Sequence, residues 1–115
     1  MRRQIVVRVF FAGQSRRWCA KHPDIGEQRS VAAEIVGAFA VHRAVCFQNG
    51  WAITHPPTGF TIGWANSRPG ARRAASLVTK ATGRDVWSFT DPATTLRWPK
   101  RRQRAILNLV RAATR

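Results

Sequence analysis

The stretch Gln48-Asn49-Gly50-Trp51-Ala52-Ile53-Thr54-His55-Pro56-Pro57-Thr58-Gly59-Phe60-Thr61-Ile62-Gly63-Trp64 decides the fold class of this chain. Asn49-Gly50 stands between apolar runs and is the strongest short-range hairpin cue, since both residues tolerate the backbone of a tight turn. Trp51 to Thr54 then reads as a strand, and His55-Pro56-Pro57-Thr58-Gly59 as a second reversal. Phe60, Ile62 and Trp64 alternate with small or polar residues, the period of two of a strand with one buried face. Together with a strand entering the Asn-Gly turn, these signals predict a three-stranded antiparallel meander.

Upstream, residues 31–47 carry two competing signals. Their alanines favour helix, whereas Ile35, Phe39, Val41, Val45 and Phe47 fall on one side at period two, and Gly37 would weaken a helix interior. Strand over about 35–47 is the reading the alternation favours. Earlier still, Ile5, Val7, Val9 and Phe11 alternate with Val6, Arg8 and Phe10, which predicts a strand over 4–11. Gly13 to Arg29 has no clear period and reads as a basic connector with a turn of helix.

Downstream, Ser67 can cap a helix with Pro69 in its first turn and Gly83 at its end, so 68–82 is predicted helical with Ala71, Ala74, Ala75, Val78 and Ala81 facing the core. Asp85 to Phe89 reads as a short strand or extended segment. Asp91-Pro92 starts a further turn, and Pro99 restarts a helix after Trp98. From Lys100 to Ala113, Gln103, Ile106, Leu107, Val110 and Ala113 line one face, and Arg101, Arg104, Asn108, Arg111 and Arg115 another. The fold class is α+β: a small antiparallel sheet of three to four strands packed against one helix, with a basic C-terminal helix. The 115 residues suit one domain. Within it, 1–30 form the N-terminal strand and basic connector, 31–90 the sheet-plus-helix core, and 91–115 the basic amphipathic helix.

Charge points to a class of partner. Twenty Lys and Arg oppose five acids, a net charge of +15, yet nothing from Ala44 to Ser67 carries a formal charge. Such an excess draws a protein towards polyanions, so nucleic acid, DNA or RNA, is the first partner to consider. Arg outnumbers Lys, and its planar fork suits phosphate, although a GC-rich genome favours Arg codons as well. A 44% apolar fraction with five Trp and six Phe excludes a disordered basic tail. No apolar run approaches the roughly 20 residues that span a bilayer, and Arg8 interrupts the short apolar N-terminus where a signal peptide would need its apolar core. The expectation is a cytoplasmic protein with reduced thiols, possible association with the nucleoid, and no membrane partner.

The candidate binding residues follow from helical spacing. Arg72, Ser76 and Lys80 lie one turn apart, with Arg68 and Arg84 at the ends and Arg73 alongside, a stripe able to follow a phosphate backbone. Most charged helix faces are simply solvated, but here no acids interleave with the cations in the usual i,i+4 pairs. The same holds for Arg97, Lys100, Arg101, Arg102 and Arg104, in a segment from 92 to 115 without any acid. Trp18 beside Arg16 and Arg17, and Trp98 beside Arg97 and Lys100, are placed for stacking on bases as well as for packing. Trp51, Trp64 and Trp87 fall at strand positions where core packing is the default.

Metal and catalytic chemistry find less support. Cys19, His22, His42 and Cys46 have the ligand types for tetrahedral zinc, but on a strand His42 and Cys46 stand about 13 Å apart, so ordinary thiols and histidines are expected, with no cofactor. The acids Asp24, Glu27, Glu34, Asp85 and Asp91 have no spacing suggestive of a general acid/base pair or a two-metal site. Gly-rich phosphate motifs are missing from the sequence. The chain is expected not to be an enzyme.

Ala44 through Thr82, with its Asn-Gly turn, the Trp51 strand, the Pro-Thr-Gly turn, the Phe60-Thr61-Ile62-Gly63 strand and an Ala/Arg-rich helix, resembles the three-stranded-sheet-plus-helix DNA-binding domains of plant ethylene-response factors and phage integrase arm-type domains. That resemblance, over about a third of the chain, implies a sheet that enters the major groove. Those families read bases with Arg on the sheet, whereas this meander offers Arg43 at its edge, Trp51 and His55. The run Ser67-Arg68-Pro69-Gly70-Ala71-Arg72-Arg73-Ala74-Ala75 is also similar to the last helix of double-stranded-RNA-binding domains. This second resemblance implies that Arg68, Arg72 and Arg73 grip phosphates across a groove by shape, and it requires a first helix at 31–46. The expected function is non-catalytic nucleic-acid binding through backbone phosphates. The alternative is a small phage or mobile-element interaction protein, such as a host-defence inhibitor, docking on an acidic protein or ribonucleoprotein surface.

Overall fold

Gly37 sets the strand count. Its φ of 62° belongs to the region that glycine enters freely, and the two residues Gly37-Ala38 reverse the chain where a single strand was expected over 35–47. The computed structural model describes residues 2–9, 15–45 and 50–114. In chain order these form β1 (Arg2–Val9), α1 (Arg16–Lys21), β2 (Glu27–Val36), β3 (Phe39–Arg43), β4 (Trp51–His55), β5 (Phe60–Ala65), α2 (Arg68–Thr82) and α3 (Lys100–Ala113). Short 3₁₀ turns cover Pro23–Ile25, Arg84–Trp87 and Pro92–Arg97.

The strands make one antiparallel meander in the order β1-β2-β3-β4-β5, an α+β fold with five strands where three to four were expected. Because the reversal at Gly37 pairs Val36 with Phe39 and Ile35 with Ala40, Ile35 lies on the face opposite Phe39 and Val41, not beside them. Residues 31–36 and 39–43 are strand, so the helix that the double-stranded-RNA-binding resemblance requires there is not formed. Asn49 of the expected turn lies outside the described residues. On either side of that turn Arg43 pairs with Trp51, and the Ala44 N–H donates to the Gly50 carbonyl at 3.0 Å. The expected extended segment at 85–89 is instead mostly the Arg84–Trp87 turn.

α2 matches its start and stop signals: the Ser67 hydroxyl accepts from the Gly70 N–H, and Gly83 ends the helix at φ 86°. Ala71, Ala74, Ala75 and Val78 are buried against Phe39, Val41 and Ile53, while Ala81 is exposed. The small alanines let the helix lie close to the sheet, and burying Phe39 and Ile53 contributes about 1.5–3 kcal/mol each. α3 lies on the same face over β5, where Gly63 makes room for it: a Cβ there would stand 2.7 Å from Val110 Cγ1. Val110 and Ala113 are buried and Leu109 packs with them, whereas Leu107, expected in the core face, is 38% exposed.

On the other face Ile5, Val7, Ala33 and Ala40 form a second cluster. The sheet curls around it until the Arg8 N–H donates to the Gly59 carbonyl at 2.9 Å, tying β1 to the turn between β4 and β5. No helix among the described residues is long and apolar enough to cross a membrane.

Candidate functional site

α2 and α3 run antiparallel. Arg73 in the first half of α2 donates from Nε to the Ala113 carbonyl at the end of α3 (3.3 Å), while Trp87, whose indole N–H donates to Thr82 Oγ1 (2.7 Å), packs on Trp98 just ahead of α3. This pairing sets the two cation-bearing helices side by side on one face of the sheet. Arg72, Arg73 and Lys80 are exposed on α2, as are Lys100, Arg101, Arg102, Arg104 and Arg111 on α3.

The candidate cations divide into held and free. Arg68 and Arg72 reach one carboxylate oxygen of Glu34 on β2, at 3.1 and 3.4 Å. The sequence showed no acid within helical spacing; the partner arrives from a strand 34 residues away, and only the fold reveals it. Arg97 pairs with Asp91 at 3.2 Å, and Arg84 donates to the Gly37 carbonyl at 3.2 Å. Lys80, Lys100, Arg101, Arg102, Arg104 and Arg111 make no ion pair among the described residues. Burial pushes the Glu34 carboxyl up, but the Arg68 hydrogen bond and the charges of Arg72 and Arg68 outweigh it and hold its pKa below the usual value.

A second cationic group lies at the N-terminal end of α2. The guanidinium carbons of Arg43 and Arg68 sit 5.2 and 5.8 Å from the centre of the Trp51 ring, within cation–π range. Arg2 lines the same cleft with Glu34. Arg43 was seen in the sequence only as an edge residue, and Arg2 not at all; their signal is the pairing of Arg43 with Trp51 and of Arg2 with Glu34 across the sheet.

No family model, curated protein or solved structure matches the chain.

Of the five tryptophans, Trp64 departs furthest from its expected place. Trp98 is half-buried in a ring cluster with Trp87 and Phe89, with Arg102 5.5 Å from its ring centre. Trp18 stacks on His22 at 4.3 Å on α1, where Arg16 and exposed Arg17 also lie. Trp64, expected in the core, is 39% exposed, and only Trp87 of the strand-placed three is buried.

The zinc set is not assembled among the described residues. Cys19 is buried on α1, and burial raises its thiol pKa despite a backbone hydrogen bond that lowers it. His22 Nδ1 bonds the Trp18 carbonyl, and Cys46 lies outside the described residues. Both nitrogens of His42 are engaged, with the Arg43 carbonyl at 2.7 Å and Thr54 Oγ1 at 2.7 Å, the latter bonded on to Thr61. His55 is held likewise, by the Trp87 carbonyl at 2.6 Å and Thr58 Oγ1 at 2.9 Å. Both histidines are structural, bridging elements that the chain separates.

Proposed function

We propose that this protein binds nucleic acid without acting on it chemically, contacting backbone phosphates mainly through α3 and the exposed side of α2. The observation that carries this reading is the row of exposed cations on α3, Lys100 to Arg104 and Arg111, with no ion pair among the described residues. Like charges on one helix repel, and a polyanion relieves that repulsion while releasing its own counterions. Arg73 and Lys80 extend the row onto α2, and Arg43, Arg68 and Arg72 surround its start. The sheet contributes less: His42, Ala52 and Thr54 on its far face are buried, so a base-reading sheet is not part of this proposal. The reading carries a cytoplasmic location with it.

Fluorescence anisotropy with labelled duplex and single strands tests it. Log affinity should fall linearly with log salt, with a slope of about −0.9 per duplex phosphate contacted, and the triple change Arg101→Ala, Arg104→Ala, Arg111→Ala should lower that slope by roughly 2–3. Binding indifferent to salt, or no binding at low salt by protein purified free of nucleic acid, overturns the proposal.

One observation favours the second reading, docking on an acidic protein or ribonucleoprotein surface. Leu77 and Leu107 are 42% and 38% exposed on the two cationic helices, and an apolar side chain gains more from a protein surface than from phosphates. Protein that elutes free of nucleic acid and shifts neither duplex nor single strands selects this reading.

A further inference from the structure

The cationic start of α3 borders a cavity of about 530 Å³ that lies between β5, the Pro92–Arg97 turn and α3. Rings form much of its wall: Phe60, Trp87, Phe89 and Trp98 line it. Leu107, exposed on α3, adds apolar surface. Thr95 and Gln103 supply hydrogen-bonding groups, and the Gln103 amide is oriented by its own N–H bond to the Trp98 carbonyl at 2.9 Å. Among the described residues, the one charged side chain in the lining is Arg104, and Arg102 lies over the Trp98 ring beside it.

We propose that this cavity takes one unpaired nucleobase, whose neighbouring phosphates are held by Arg104 and the other cations of the first turns of α3. The proposal rests on the nucleic-acid reading above and deepens it. A flat ring with polar edges matches aromatic walls that carry a few hydrogen-bonding groups. An apolar side chain of a protein partner would use the walls but leave Arg104 and the amide without a counterpart, whereas a nucleotide brings its anionic group to the cationic rim. The size lies within the range of small-molecule sites and admits a base. Because a base in a duplex hides both faces in its stack, the consequence is a preference for single strands or unpaired positions over duplex.

The test compares three probes of equal length at one salt concentration: an oligodeoxyadenylate, an abasic strand with the same number of phosphates, and a duplex. The base-bearing strand should bind roughly 5- to 150-fold more tightly than the abasic one, the range that stacking of one base gives, while both single strands show the same salt slope. Thr95→Phe, which fills the cavity and leaves every cation in place, should bring the base-bearing strand down to the abasic level and leave abasic binding unchanged. Equal affinity for base-bearing and abasic strands overturns the proposal and leaves phosphate binding standing. Failure of every probe to bind overturns both. Should Thr95→Phe not fold, the comparison of strands on the unaltered protein still decides.

Discussion

Glu34 Oε1 on β2 lies 3.1 Å from Arg68 Nη2 in the first turn of α2. The same oxygen is 3.4 Å from Arg72 Nε, so one side chain, 17% exposed, holds two guanidiniums from a neighbouring layer. Glu34→Gln keeps the shape but removes the charge. Hydrogen bonds to charged groups contribute about 1.5–3 kcal/mol when buried and less where, as here, the arginines are half open to water, so a loss of about 1 kcal/mol is expected in urea unfolding. The released arginines should at the same time tighten binding to a polyanion. A variant that loses stability and binds more weakly would mean that Glu34 orients these arginines for their ligand instead of occupying them.

Gly37→Ala should be among the most damaging single-methyl additions in the molecule. The residue would keep a φ of 62°, which costs a non-glycine residue about 1–2 kcal/mol, and the new Cβ would collide with Thr79 Oγ1 of α2. That hydroxyl accepts the Ala38 N–H at 3.1 Å, so the turn and the helix are displaced together. Thermal unfolding should show a drop well beyond that of Gly83→Ala, where φ is also positive but nothing stands within 4 Å. Equal losses at the two sites would remove the role assigned to the Thr79 contact.

Acidification should weaken the fold through His42 and His55. Burial pushes both imidazoles below 6.5, partly offset by the carbonyls of Arg43 and Trp87 that bond them. The unfolded chain therefore takes up these protons first as pH falls. Stability is complete above about 6.5 and declines as pH drops through 6.5 towards the folded-state values, with a slope of at most about one proton per histidine. Urea midpoints at pH 7.5 and 5.5 measure this; a midpoint unchanged or higher at pH 5.5 contradicts it.

Gly63→Ala should loosen α3. The added methyl meets Val110 Cγ1 at 2.7 Å, and valine has little rotamer freedom with which to retreat. A loss of about 1–3 kcal/mol is expected, and Val110→Ala in the same chain should restore part of it. A double-mutant cycle with additive losses would show that α3 does not depend on this contact.

Much of the architecture was legible in the order of residues. Ser67, Pro69 and Gly83 bounded α2 and the alternation of Phe60 to Trp64 marked β5, because capping and period-two burial are local requirements. The split of 35–47 was missed since Gly37 reads equally as a weak spot in one strand or as a turn between two. The choice depends on Thr79 and Arg84, which meet the turn only after α2 has packed. The cations of α3 were legible as a face, but the cavity beside them was not, since its walls come from β5, two 3₁₀ turns and α3.

The sequence by itself determined the antiparallel α+β class, the boundaries of both long helices and a cationic surface carried by helices, all consequences of local sterics, periodicity and composition. Only the tertiary structure decided which cations remain free. Glu34 neutralises part of the first turn of α2 from a strand 34 residues away, while nothing acidic reaches α3 among the described residues. Coulomb interactions act over a few ångströms of space, whatever the separation along the chain.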